Sequence, residues 1–153
     1  MMKSQITNLL ALISSWFLLL IFLALMPERV VLFFLRKPFF FSVAHIVAYW
    51  VLAFFLCLYL RFKRTFFVFR MNWWNIFFLT LVCCMACGGI TEAVQVLTPD
   101  RAPDWYDFYC DLGGAMSGIL FFMLFSKSPF MIKFLTARSH PIPKIRIIPR
   151  QLP

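Results

Sequence analysis

The sequence predicts an all-α fold, a four-helix transmembrane bundle, and three observations carry that expectation. First, 63% of the 153 residues are apolar or aromatic and only 14% are charged, against about 45–50% and about 25% in ordinary soluble domains. A soluble fold of this size leaves a large share of its residues facing water and could not hide 21 Phe among them. The composition therefore excludes a soluble globular domain, and equally a disordered chain. Second, four apolar stretches each reach the about 20 residues that a helix needs to cross the hydrocarbon. Third, all nine prolines (27, 38, 99, 103, 129, 141, 143, 149 and 153) and every Lys and Arg fall outside those stretches. Proline breaks a helix interior and a charge is costly in lipid, so both mark the same boundaries.

The stretches lie at about 6–26, 40–60, 76–97 and 104–125. Lys3 before the first apolar run has the look of a secretion signal. The run is too long for such a signal and no small-residue cleavage site follows, so it is expected to stay as a helix. Residues 28–37 (ERVVLFFLRK) are apolar with charged ends and suit an interfacial helix after the first span. Phe66, Phe67, Trp73 and Trp74, mixed with Arg, suit a headgroup-level aromatic belt before the third. The fourth span closes a transmembrane domain at 1–126. Residues 127–153 form a basic, Pro-rich tail, expected to be extended from His140 onward.

Fifteen basic residues against six acids give a net charge of +9. On a soluble protein that would suggest nucleic acid. Here the positive-inside rule and anionic headgroups account for it, and no nucleic-acid partner is expected. The middle connection carries Arg61, Lys63, Arg64 and Arg70 with no acid, and the tail carries Lys127, Lys133, Arg138, Lys144, Arg146 and Arg150. These ten place the middle connection and both termini in the cytoplasm. A multi-pass protein of the cell inner (cytoplasmic) membrane is expected, with membrane lipids as its partners.

The acids are few and clustered: Glu92, Asp100, Asp104, Asp107 and Asp111 are five of the six. With an up-down topology, His45, Glu92, Asp104, Asp107 and Asp111 all fall in the outer third of the spans. Asp104, Asp107, Asp111, Gly114 and Gly118 step by 3, 4, 3 and 4 and form one helical stripe. Its Gly114-x-x-x-Gly118 end allows another backbone to come close. Cys84, Gly88, Glu92 and Gln95 make a matching stripe, and His45 and Tyr49 lie one turn apart. Such faces are expected to point inward, away from lipid. Three readings fit them: a hydrogen-bonded network that sets helix register, a pocket for a lipid headgroup or amphiphile, or catalysis or metal binding. Carboxylates with an imidazole suit a divalent cation or a general base, but one His with no nucleophile is a thin catalytic kit. No catalytic residue, metal or cofactor is assigned. Cys84-Met-Ala-Cys87 is read as small apolar packing, Cys110 as the one thiol near the polar stripe, and the Phe-rich stretches as lipid-facing surface.

The series Gly89-Ile-Thr-Glu92-Ala-Val-Gln95, Arg101, Asp104-Trp-Tyr-Asp107, Gly114 and Gly118, preceded by His45 and Tyr49 in SVAHIVAYWVLAF, resembles the VanZ-like family of small integral membrane proteins. The resemblance covers about residues 40–125. One position departs from it: four residues after Asp107 the family usually has Asn, and this chain has Asp111, which adds like-charge repulsion and calls for a cation or proton partner. The resemblance implies the fold and, taken with the helical stripes, a binding site of His45, Tyr49, Glu92, Gln95, Arg101, Asp104, Asp107 and Asp111 is expected, with Gly88, Gly114 and Gly118 packing helices. The family's name comes from a protein linked to teicoplanin resistance. The expected function is binding of an envelope lipid or amphiphile, linked to glycopeptide tolerance, with Arg101 meeting an anionic head and Glu92 and Asp107 orienting Arg101 and His45. Two alternatives stand beside it: an accessory subunit of a larger membrane complex, and an enzyme on a lipid-linked envelope substrate.

Overall fold

The computed structural model describes residues 2–26, 30, 38–64, 72–97 and 104–129. They form four helices: α1 (Met2–Ala24), α2 (Pro38–Arg64), α3 (Trp73–Gln95) and α4 (Trp105–Phe125). Among the described residues there is no strand, and each helix is long and apolar enough to cross a membrane. The fold is the expected all-α, four-helix one, that of a multi-pass membrane protein. The chain divides into compact units at 1–123 and 124–153. Within the second, α4 runs out in turns where the Lys127 N–H donates to the Leu124 carbonyl at 3.2 Å and the Ser128 N–H to that of Phe125 at 2.9 Å. The interfacial segment expected at 28–37 (Val30 apart), the belt residues Phe66 and Phe67, Arg101, and the tail beyond 129 lie outside the described residues.

The helices overrun the apolar stretches at ends where polar chemistry permits it. Pro38 occupies the first position of α2, the one helical site where a missing N–H costs nothing. At its other end α2 continues through Arg61, Lys63 and Arg64, all good helix formers. α3 begins at Trp73, three residues before the apolar run, because Asn72 caps it. The Asn72 side chain accepts the Trp73 N–H at 2.7 Å, and its carbonyl accepts those of Asn75 and Ile76 at 3.1 and 3.2 Å.

Burial follows helical stripes. α1 buries Ile13, Leu20 and Ala24 and packs on α2 and α3, with the Trp16 indole N–H donating to the Ala48 carbonyl of α2 at 3.0 Å. α2 buries Tyr49, Leu52, Ala53 and Cys57. α3 buries a nearly strict four-residue ladder, Ile76, Thr80, Cys84, Gly88, Glu92 and Gln95, with Thr91 beside it. Cys57 and Thr80 meet at 3.4 Å across α2 and α3. The five cysteines are all free. The opposite faces expose Leu18, Phe22, Val47, Phe78, Val82 and Leu120. A soluble protein could not sustain that, but for a span it is contact with acyl chains.

α2 and α4 approach backbone to backbone. A Cβ at Gly114 would collide with the Ile46 backbone, and one at Gly118 with the Trp50 carbonyl, so the G-x-x-x-G expected to admit a helix admits α2. Below that contact the aromatic rings are not all lipid-facing, contrary to expectation. Phe122 is buried, with its ring centroid 5.8 Å from that of Phe54 and 6.4 Å from that of Trp73. Trp73 likewise leaves the lipid belt for the bundle. Its ring lies under the Arg61 guanidinium at 4.9 Å, a cation–π contact, while Trp74 is the exposed partner.

Candidate functional site: a buried carboxylate–imidazole cluster

The first turns of α2 and α4 and the last turns of α3 come together at one end of the bundle. Each brings a polar residue that its own stripe turns inward. His45 is the eighth residue of α2, Glu92 the fourth from the end of α3, and Asp111 the seventh of α4, so all lie about two turns or less from that end. His45 Nδ1 lies 2.8 Å from Asp111 Oδ1. The acid that departs from the VanZ-like pattern is thus a partner of the imidazole. Asp107 and Glu92 remain in electrostatic reach of His45, and both are buried.

Glu92 ties the helix ends together differently. Its Oε2 accepts the Asp104 backbone N–H at 3.0 Å, which fixes the entry of α4 against the exit of α3. Asp104 itself is corrected from a member of the inward cluster to a cap. It is exposed, its side chain accepts the Tyr106 N–H at 2.8 Å, and its carbonyl accepts the N–H groups of Asp107 and Phe108 at 3.1 and 3.3 Å. The inward stripe of α4 therefore begins at Asp107 and runs through Asp111, Gly114 and Gly118. An N-cap carboxylate stabilises by about 0.5–2 kcal/mol. Asp104→Ala is expected to lower thermal stability in detergent by that amount, and Asp104→Asn to restore most of it. Loss of ligand binding in Asp104→Asn at unchanged stability would return the side chain to the site.

One contact was not legible in the sequence. The Thr91 hydroxyl donates to the Gly88 carbonyl at 2.8 Å and meets the Tyr49 hydroxyl at 3.0 Å. Tyr49 and Thr91 are both buried. The signal for Thr91 was its place three residues beyond Gly88 on the same stripe, masked because threonine is common inside membrane helices. Gly88 leaves room for the acid. A Cβ there would sit 3.3 Å from Asp111 Oδ2 and 3.5 Å from the Phe108 ring. Gln95 is buried one turn beyond Thr91. Arg101 is the one expected site residue outside the described residues.

Two acceptors in this cluster are left over. Glu92 Oε1 and Asp111 Oδ2 are shut off from solvent and have no hydrogen-bond donor among the described residues. Among the described residues no group of three or more His, Cys, Asp and Glu side chains is placed to hold a metal ion.

The fold and the site define a class: a four-helix membrane-spanning bundle with a buried carboxylate–imidazole cluster at one end. Comparison with protein-family models, with curated proteins and with solved structures found no match for the chain.

Proposed function

We propose that the cluster binds the polar head of an envelope lipid or amphiphile on the outward side of the inner membrane. In this reading the chain is a VanZ-like protein and contributes to tolerance of teicoplanin-type glycopeptides. The observation that carries the binding reading is the pair of unmet acceptors, Glu92 Oε1 and Asp111 Oδ2. A network whose only task is helix register closes on itself, because a buried acceptor without a donor costs about 1–3 kcal/mol. Among the described residues this one does not close.

Two further features support it. Trp105, Tyr106 and Tyr109, at the same end of α4, are all strongly exposed, as amphipathic rings are at headgroup level. The cluster then lies at the headgroup–acyl boundary, where a lipid head can reach it from the leaflet. The opposite end of α2 carries Arg61, Lys63 and Arg64, and the positive-inside rule assigns that end to the cytoplasm.

The test is native mass spectrometry of the full chain released from membranes in mild detergent, alongside glycopeptide susceptibility of cells that carry it. The expected result is a monomer with bound lipid, with lipid and tolerance both lost in Glu92→Gln and Asp107→Asn at unchanged protein level. A lipid-free protein, or variants that simply fail to accumulate, would leave the cluster a structural network. A stoichiometric protein partner in place of lipid would make the chain a subunit of a larger complex.

A further inference from the structure

Resting on that reading, we propose that lipid reaches the cluster sideways, through the seam between α3 and α4 at Gly88, and that the Phe108 ring is the gate in that seam. Asp111 faces two helices from α4. Its Oδ1 meets His45 of α2 at 2.8 Å, and its Oδ2 lies 3.3 Å from the point where a side chain at Gly88 of α3 would begin. The Phe108 ring lies 3.5 Å from that same point. Gly88 brings no side chain of its own, so the ring from α4 borders the space beside the carboxylate.

The seams on either side of α4 are barred by different things. On the α2 side, one turn deeper than Asp111, a Cβ at Gly114 would meet the Ile46 backbone, and one turn further a Cβ at Gly118 would meet the Trp50 carbonyl. Widening that seam means driving two helix backbones apart. On the α3 side the helix ends are tied where Glu92 Oε2 accepts the Asp104 N–H at 3.0 Å, and one turn deeper the seam at Gly88 meets a ring. A ring clears a passage by changing rotamer, whereas a helix moves as a body and far more slowly.

The same seam opens on lipid. Gly88 lies at the rim of the buried face of α3. Its surface neighbour Met85 and the following Gly89 are exposed, and Gly89 borders open space. Phe108 is half-buried. Its ring stands edge-on to those of Trp105 and Tyr109, with centroids 6.3 and 6.4 Å away, and both of those residues are strongly exposed. Acyl chains are as apolar as the ring, so swinging it out among them forfeits little burial. The ring therefore yields to an entering lipid and closes behind its head.

Lipid exchange on the purified full chain tests this. The protein is loaded from vesicles of phosphatidylethanolamine and phosphatidylglycerol with deuterated acyl chains and chased with the unlabelled mixture. Loss of the heavy lipid is followed by native mass spectrometry. Phe108→Ala is expected to exchange about tenfold faster than the parent and Phe108→Trp several-fold slower, since barrier changes appear directly in rates. Leu120→Ala, which trims a lipid-facing side chain of the same helix away from the seam, is expected to keep the parent rate. A loosened bundle would also speed exchange in Phe108→Ala, but it would not slow exchange in Phe108→Trp, so the slower variant decides. Parent-like exchange in Phe108→Trp, or equal acceleration in Leu120→Ala, overturns the gate and leaves lipid binding standing. A parent protein that retains no heavy lipid overturns both.

Discussion

Replacing Gly114 by Val is expected to separate α2 from α4 and to give the largest stability loss of any single substitution in the bundle. A Cβ at Gly114 meets the Ile46 backbone, and one at Gly118 meets the Trp50 carbonyl. A flexible side chain could swing aside, but a helix backbone moves only as a unit. Overpacking costs about 1–3 kcal/mol and more where the obstacle is rigid, so Gly114→Ala should fall at the top of that range and Gly114→Val beyond it. The comparison that makes the test sharp lies next door. Gly113 and Gly89 would place a Cβ in open space, and a helical Gly→Ala there removes chain entropy worth about 0.5–1 kcal/mol. Thermal unfolding in mild detergent, read by circular dichroism, should show Gly113→Ala and Gly89→Ala as stable as the parent or more so. If Gly114→Ala behaves like Gly113→Ala, the close contact of α2 and α4 is wrong. Movement of α4 should also register at Trp50, whose ring centroid lies 5.0 Å from that of Phe121, as a change in tryptophan emission.

The second large effect is expected at the His45–Asp111 pair. His45→Ala removes the partner 2.8 Å from Asp111 Oδ1. It leaves a carboxyl group that is only 2% exposed, with its Oδ1 contact to the imidazole lost and no hydrogen-bond donor on Oδ2 among the described residues. Stranding a neutral buried acceptor costs about 1–3 kcal/mol, and breaking an ionised buried pair costs about 3–5 kcal/mol. The measured loss therefore reports whether the pair is ionised as well as whether it exists. A double-mutant cycle with Asp111→Ala isolates the pairwise part. His45→Ala and Asp111→Ala should each be costly and the double variant much less so than their sum. Strict additivity would mean that the two groups do not interact. Asp111→Asn, which installs the residue usual in VanZ-like sequences, keeps an oxygen for the imidazole and should be the mildest change at this position.

The two predictions separate what each glycine and each acid does, and neither role was fully visible in residue spacing. Spacing put Asp107, Asp111, Gly114 and Gly118 on one face of a helix, and that face is buried. It put Asp104 on the same face, but the first residue of a stripe is also where a helix begins. There a carboxylate beside free N–H groups caps rather than turns inward. Spacing also gave no way to choose which acid meets His45. Three carboxyl groups lay at similar depth, and the choice depends on the rotation of α4 about its axis, which the Gly114–Ile46 and Gly118–Trp50 contacts set.

By itself the sequence determined the class of fold, the number of helices and their boundaries to within a few residues. Hydrocarbon thickness, proline and charge act locally along the chain and leave their marks in composition. It also determined that the polar residues gather near one membrane face, since up-down connectivity turns position along a helix into depth. Only the tertiary structure decided that α2 is the helix held by the glycines, that Asp111 pairs with His45, that Tyr49 meets Thr91, and that two carboxylate oxygens have no donor among the described residues. These outcomes depend on the rotation and close approach of whole helices. A shift of a single residue in register would turn a given side chain by about 100° without altering any pattern the sequence displays.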